Sequence, residues 1–122
     1  MSDEISIQAQ GSISNGSLSQ SWNKGAVSIN QTNRESDGGV ESVGASEEDL
    51  TIANISTLGW LFLRNLDATN FVTYGPKSGG AMVLLGKLKA GEVAVLRLAP
   101  GITFRWIADT APVKVEWLLW GD

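Results

Sequence analysis

Val113-Lys114-Val115-Glu116-Trp117-Leu118-Leu119-Trp120 is the stretch that decides the fold class. Successive side chains of an extended strand point to opposite faces, so Val113, Val115, Trp117 and Leu119 form one face and Lys114, Glu116, Leu118 and Trp120 the other. The first face is core. The second turns from charged to strongly apolar along the run, whereas an antiparallel strand in a small domain normally wets one face.

Working back from this run, the same grammar repeats: Trp60–Leu66, Phe71–Tyr74, Ala81–Lys87, Glu92–Leu98 and Ile102–Ala108 are rich in β-branched, leucine and aromatic residues. Between them stand Asn65-Leu66-Asp67-Ala68-Thr69-Asn70, Gly75-Pro76-Lys77-Ser78-Gly79-Gly80, Lys89-Ala90-Gly91, Ala99-Pro100-Gly101 and Asp109-Thr110-Ala111-Pro112. These separators supply the Gly, Pro, Asn and Asp that a reversing chain needs. Turn signals about ten residues apart mark an all-β fold, an antiparallel β-sandwich or barrel with six strands in this half and three to four before it. Several strands carry the cover problem of the last one: Trp60, Phe62 and Leu66 share one parity and Leu61 and Leu63 the other, while Val93 and Val95 oppose Ala94, Leu96 and Leu98.

The remainder of the chain is of different character. Ile5, Ile7 and Ala9 alternate with Ser6, Gln8 and Gln10, and Val27 and Ile29 with Ser28 and Asn30, so residues 1–33 read as polar N-terminal strands or an arm. Too few large apolar side chains are present there for a separate core, and pairing onto the C-terminal sheet or onto a neighbouring subunit is expected. Residues 34–58 read as an acidic loop region with a short strand at Val40–Val43, and residues 59–122 as the sandwich core. Only Ser46 before Glu47-Glu48-Asp49-Leu50 offers a helical turn.

Composition narrows the chemistry. The 122 residues include no cysteine and no histidine, which removes thiolate chemistry, the commonest general base and the commonest metal ligand. No catalytic, metal or cofactor site is read. Glu41 and Glu47-Glu48-Asp49 lack the alternating acids and central glycine of a calcium loop. Gly75–Gly80 places its glycines after Lys77-Ser78, the reverse of a phosphate-binding loop, and is read as a hairpin connection. Residues 1–58 hold eight acids against two bases and residues 59–122 five against seven, which sums to the net −4; no basic stripe for nucleic acid or an anionic membrane results. The Met1-Ser2-Asp3-Glu4 start lacks the apolar run of a secretory signal, and synthesis in a cytoplasm is expected. The sequons at Asn15, Asn30 and Asn54 reflect Ser- and Asn-rich composition.

The tryptophans carry what remains. Each large apolar side chain left exposed forfeits roughly 1.5–3 kcal/mol, so a homo-oligomer is expected, a trimer or another cyclic assembly, the alternative being a two-layer sandwich whose inner faces account for all of them. Trp60, Trp106, Trp117 and Trp120, with Ile5 and Ile7 of the arm, are the candidate subunit or partner contacts. Trp22, Asn23, Asp67, Asn70 and Tyr74 are the candidate sugar contacts of an alternative, lectin-like reading, since aromatics stack on sugars and amides hydrogen-bond them.

Residues 61–72, from Leu61-Phe62-Leu63-Arg64-Asn65-Leu66 to Phe71-Val72, followed by Leu88-Lys89-Ala90-Gly91-Glu92-Val93-Ala94 and Leu98-Ala99-Pro100-Gly101, resemble small virion structural proteins of tailed bacteriophages, of the capsid decoration (cement) type. The likeness covers about residues 59–122. It implies a jelly-roll-like module on the capsid surface, made in the bacterial host cytoplasm, with the major capsid protein as partner and trimers clamping neighbouring capsomers. Tail or baseplate β-modules look similar. The pattern assigns no catalytic residue.

Overall fold

A computed structural model describes residues 4–122; Met1, Ser2 and Asp3, the start of the expected N-terminal arm, lie outside the described residues. The protein is all-β and antiparallel, with no helix among the described residues, and it divides into two compact units, residues 1–33 and 34–122.

The first unit is a hairpin of β1 (Ile5–Asn15) and β2 (Leu18–Ile29). Its two-residue turn places Gly16 at φ 58°, a left-handed conformation that glycine adopts without steric cost.

The second unit contains β3 (Ser36–Val43), β4 (Glu48–Asp49), β5 (Leu58–Asn65), β6 (Val72–Ser78), β7 (Ala81–Met82), β8 (Gly86–Leu88), β9 (Val93–Arg97), β10 (Phe104–Ala108) and β11 (Val113–Gly121). A four-stranded sheet has the order β3-β11-β5-β9, and a curled five-stranded sheet the order β4-β10-β6-β7 with β8 also on β6. The pairs β3·β11, β4·β10, β5·β9 and β6·β8 nest inside one another. The chain thus makes one long antiparallel ribbon whose successive segments fall alternately on the two sheets.

One core receives side chains from both sheets, among them Leu61, Leu63, Val72, Phe104, Trp106, Val113, Val115, Trp117 and Leu119. The expected alternation of β11 holds: Val113, Val115, Trp117 and Leu119 are buried, while Lys114, Glu116 and Leu118 are exposed and Trp120 is half-buried. Phe104 links the interior rings, stacking on Tyr74 at 5.6 Å and meeting Trp106 edge-on at 5.7 Å.

Three readings of the sequence need correction. The acidic region is not simply a loop, because Ser36–Val43 pairs along the whole of β11 and brings Val43 into the core. Ladder hydrogen bonds to a strong neighbour override the poor strand propensity of Gly38 and Gly39. Gly75-Pro76-Lys77-Ser78 belongs to β6, and the connection is only Gly79-Gly80, with φ of 63° and 85°. The expected Ala81–Lys87 strand is split into β7 and β8, so that seven strands rather than six follow Leu58 among the described residues.

Candidate functional site

The outer face of the four-stranded sheet is built by strand parity. Burying Leu61, Leu63 and Asn65 of β5 turns Trp60, Phe62 and Arg64 outward, and burying Trp117 and Leu119 of β11 turns Leu118 and Trp120 outward. Residues directly opposite in an antiparallel pair share a face. Gly38, Leu118, Phe62 and Val95 therefore form one row across the sheet, and Val40, Glu116, Arg64 and Val93 the next. Val93 on the edge strand β9 is 66% exposed and Val40 on the opposite edge strand β3 58%, so both ends of this row are open to solvent.

Small residues make this face concave. Gly38, opposite Leu118, leaves an open depression of about 890 Å³ over Phe62, Val95 and Leu118. Gly38 cannot be enlarged without cost, because a Cβ there would lie 2.7 Å from the Trp117 carbonyl oxygen. Aromatic contacts hold the neighbouring floor: Phe62 meets Trp120 edge-on at 4.7 Å, and the Arg97 guanidinium lies 5.8 Å from the Trp60 ring and pairs with Asp122. Arg64 faces Glu116 across the ladder at the opposite end. The result is an apolar floor flanked by charged residues.

The expected contact tryptophans separate into two classes. Trp60 and Trp120 lie half-buried on this outer face. Trp106 and Trp117 are core residues, 0% and 5% exposed, and a surface contact through them is corrected by their inward parity. Their indole N–H groups are buried without an acceptor, a cost that core packing absorbs. Ile5 is buried and Ile7 half-buried at the base of the hairpin. Phe62, Val95 and Leu118 lie outside the expected contact residues, although the doubled apolar parity of their strands is a signal for them. A smaller apolar patch, Val83-Leu84-Leu85, is exposed beside β6.

Four of the candidate sugar contacts make structural contacts, while Trp22 is exposed. Asp67 accepts from the backbone N–H groups of Asn70 at 2.6 Å and Thr69 at 3.0 Å, and these bonds hold its carboxyl below the usual range. Asn70 in turn gives its carbonyl to Asn65 Nδ2. Tyr74 packs on Phe104, and burial raises its hydroxyl pKa. Trp22 and Asn23 belong to the hairpin, where Asn23 Nδ2 donates to Gln10 Oε1 and its Oδ1 accepts from Gly25 N–H. Trp22 and Asn23 thus belong to the first unit, and Asp67, Asn70 and Tyr74 to the second.

The acidic cluster is likewise a fastening. Arg105 donates through Nε to Asp49 Oδ1 at 2.8 Å and through Nη1 to Glu47 Oε1 at 3.1 Å, clamping β4 to β10. The Met82 backbone N–H and then Arg105 depress the Glu47 pKa; Arg105 depresses that of Asp49. Glu48 accepts from Gly44 N–H. Among the described residues no group of three acidic side chains is placed to hold a metal ion.

Comparison with family models, with curated proteins and with solved structures finds no match to the chain.

Proposed function

We propose that the protein is a noncatalytic virion structural protein of a tailed bacteriophage, a capsid decoration (cement) protein that bridges and stabilises major capsid protein subunits as a homo-oligomer. The observation that carries this reading is the outer sheet face, where Val40, Phe62, Val93, Val95 and Leu118 form a concave apolar floor on a unit whose core is already complete. Such a face contributes free energy only when another surface covers it.

The finer fold belongs to the same reading: an antiparallel, jelly-roll-like β-sandwich. Its support is the strand order, since β3-β11-β5-β9 and β4-β10-β6-β8 are the two interleaved sets that a rolled ribbon of eight strands generates. The sequence supports a binding rather than a chemical role, because no histidine or cysteine is present to activate a nucleophile or a water.

The test is binding to purified capsids of the encoding phage that lack this chain. Wild-type protein should co-sediment with capsids, and Leu118→Asn combined with Val95→Asn should abolish binding while changing stability by less than about 1 kcal/mol, as exposed positions allow. Co-sedimentation with tails instead would move the protein to a tail or baseplate. Absence from both particles would defeat the virion assignment.

A further inference from the structure

The open sheet edges of the second unit are not alike. β4 offers two residues, and the edge made by β7 and β8 is broken at Val83-Leu84-Leu85, where three residues run against two, Gly75 and Pro76 of β6. Along β3 the Gly38 N–H donates to Asp37 Oδ1 at 2.8 Å, and Gly44 just beyond gives its N–H to Glu48 and its carbonyl to Ala108, leaving Val40 and Ser42 between them. Short, bulged and blocked edges are the means by which a sheet avoids unwanted pairing. β9 has none of them. Val93-Ala94-Val95-Leu96-Arg97 is in unbroken register with β5, without proline, lysine or bulge.

The hydrogen-bond ladder shows which β9 groups point away from the sheet. The Asn65 N–H donates to the Glu92 carbonyl at 3.0 Å and the Leu98 N–H to the Gly59 carbonyl at 2.8 Å, so the even positions of this run bond to β5. Val93, Val95 and Arg97 therefore turn their main-chain N–H and C=O groups to the other side, where no strand of the described residues stands. These donors and acceptors repeat every two residues, about 6.8 Å along the strand. The ligand with the same repeat of acceptors and donors is an extended polypeptide.

Side chains beside this edge are apolar on both faces. Val93 and Val95 stand exposed on the outer face, while Ala94 and Leu96 pack against the core and are only half-buried. A strand added here continues the row Gly38, Leu118, Phe62 and Val95 by one residue and borders the depression on its β9 side, and its residues of the other parity cover Ala94 and Leu96. No charged residue lies between Glu92 and Arg97, and Arg97 is already paired with Asp122. A charge at the centre of the incoming segment would be desolvated without a partner, so the segment that fits is uncharged and apolar or β-branched there.

We propose that the β9 edge accepts a strand from the partner that the sheet face contacts: an extended, uncharged segment of the capsid protein, added antiparallel along Val93–Arg97. The inference rests on the capsid reading and deepens it, because attachment then comes from main-chain pairing as well as from the apolar face. Hydrogen–deuterium exchange of the full chain, free and bound to purified capsids of the encoding phage that lack it, tests this directly. The Val93, Val95 and Arg97 amides should exchange fast in the free chain and roughly tenfold or more slowly on the capsid. Co-sedimentation of two variants adds a second measurement. Val95→Pro removes an N–H that makes no bond to β5, a place where a sheet edge tolerates proline, and should weaken capsid binding by roughly tenfold or more while unfolding stays cooperative. Val95→Thr keeps the N–H and the branched side chain and should bind within about threefold of wild type. Capsid binding without slowed exchange at these amides, or undiminished in Val95→Pro, overturns strand addition and leaves the capsid reading standing. Slow exchange already present in the free chain as it dimerises assigns the edge to a second copy and overturns the proposal. Failure of the wild type to bind capsids overturns both.

Discussion

Asn65 is the residue on which the turn between β5 and β6 depends. It is 0% exposed, donates through Nδ2 to the carbonyls of Asn70 and Leu88 at 3.0 Å each, and accepts from Asp67 N–H at 2.8 Å. One side chain thus closes a turn and ties it to β8. Replacing it with leucine keeps much of the volume but strips three backbone groups of their partner, each worth about 1–3 kcal/mol when left buried. Asn65→Leu should therefore destabilise the protein by about 3 kcal/mol or more, read as a lowered urea midpoint with an unchanged slope. A loss below about 1 kcal/mol would mean that the turn re-forms without the amide. The sequence places Asn65 where the chain leaves a strand, but an asparagine in a turn is ordinarily wet. Its burial follows from β8 lying beside it, a neighbour 23 positions away.

Strands were legible where parity and turn chemistry agreed, as in β5, β9, β10 and β11. Legibility failed where pairing came from afar: Asp37-Gly38-Gly39 has no strand character of its own and becomes ordered because β11 supplies the ladder. The same distance hides the purpose of Glu47 and Asp49, which is to meet Arg105 from β10. Both carboxyls have folded pKa values below their ordinary 4.5 and 3.8. Their contribution to stability is therefore complete above those values and is lost as pH falls through the depressed folded ones. Arg105→Gln should lower the thermal midpoint at neutral pH, with the difference from wild type shrinking progressively in acid. A difference that persists undiminished at pH values where both carboxyls are protonated would show that the clamp is not electrostatic.

The division of the chain has a thermodynamic consequence. The core cluster runs from Val43 to Leu119, and none of its members lies in residues 1–33. A two-stranded hairpin is marginal in water by itself, whereas two sheets around a shared core are not. Residues 34–122 alone should unfold cooperatively, with a midpoint within about 4 °C of the monomeric full chain, since about 1 kcal/mol moves a domain of this size by that much. Loss of cooperative unfolding in the fragment would show that the hairpin is part of the second unit's stability.

Sequence by itself determined the strand class, the inward parity of β11, the absence of histidine and cysteine chemistry, and the change of character after residue 33. Each of these follows from local rules: the two-residue period of an extended chain, the φ preferences of turn residues, and the side chains that are present. Tertiary structure decided which tryptophans are core and which are surface. It also decided that the glycine-rich acidic segment is a strand, and that a bulge at Lys24-Gly25 gathers the hairpin's apolar residues on one face. The physical reason is common to all three. Register between distant strands sets which of two equally apolar parities is covered, and register is a property of the pairing rather than of either strand.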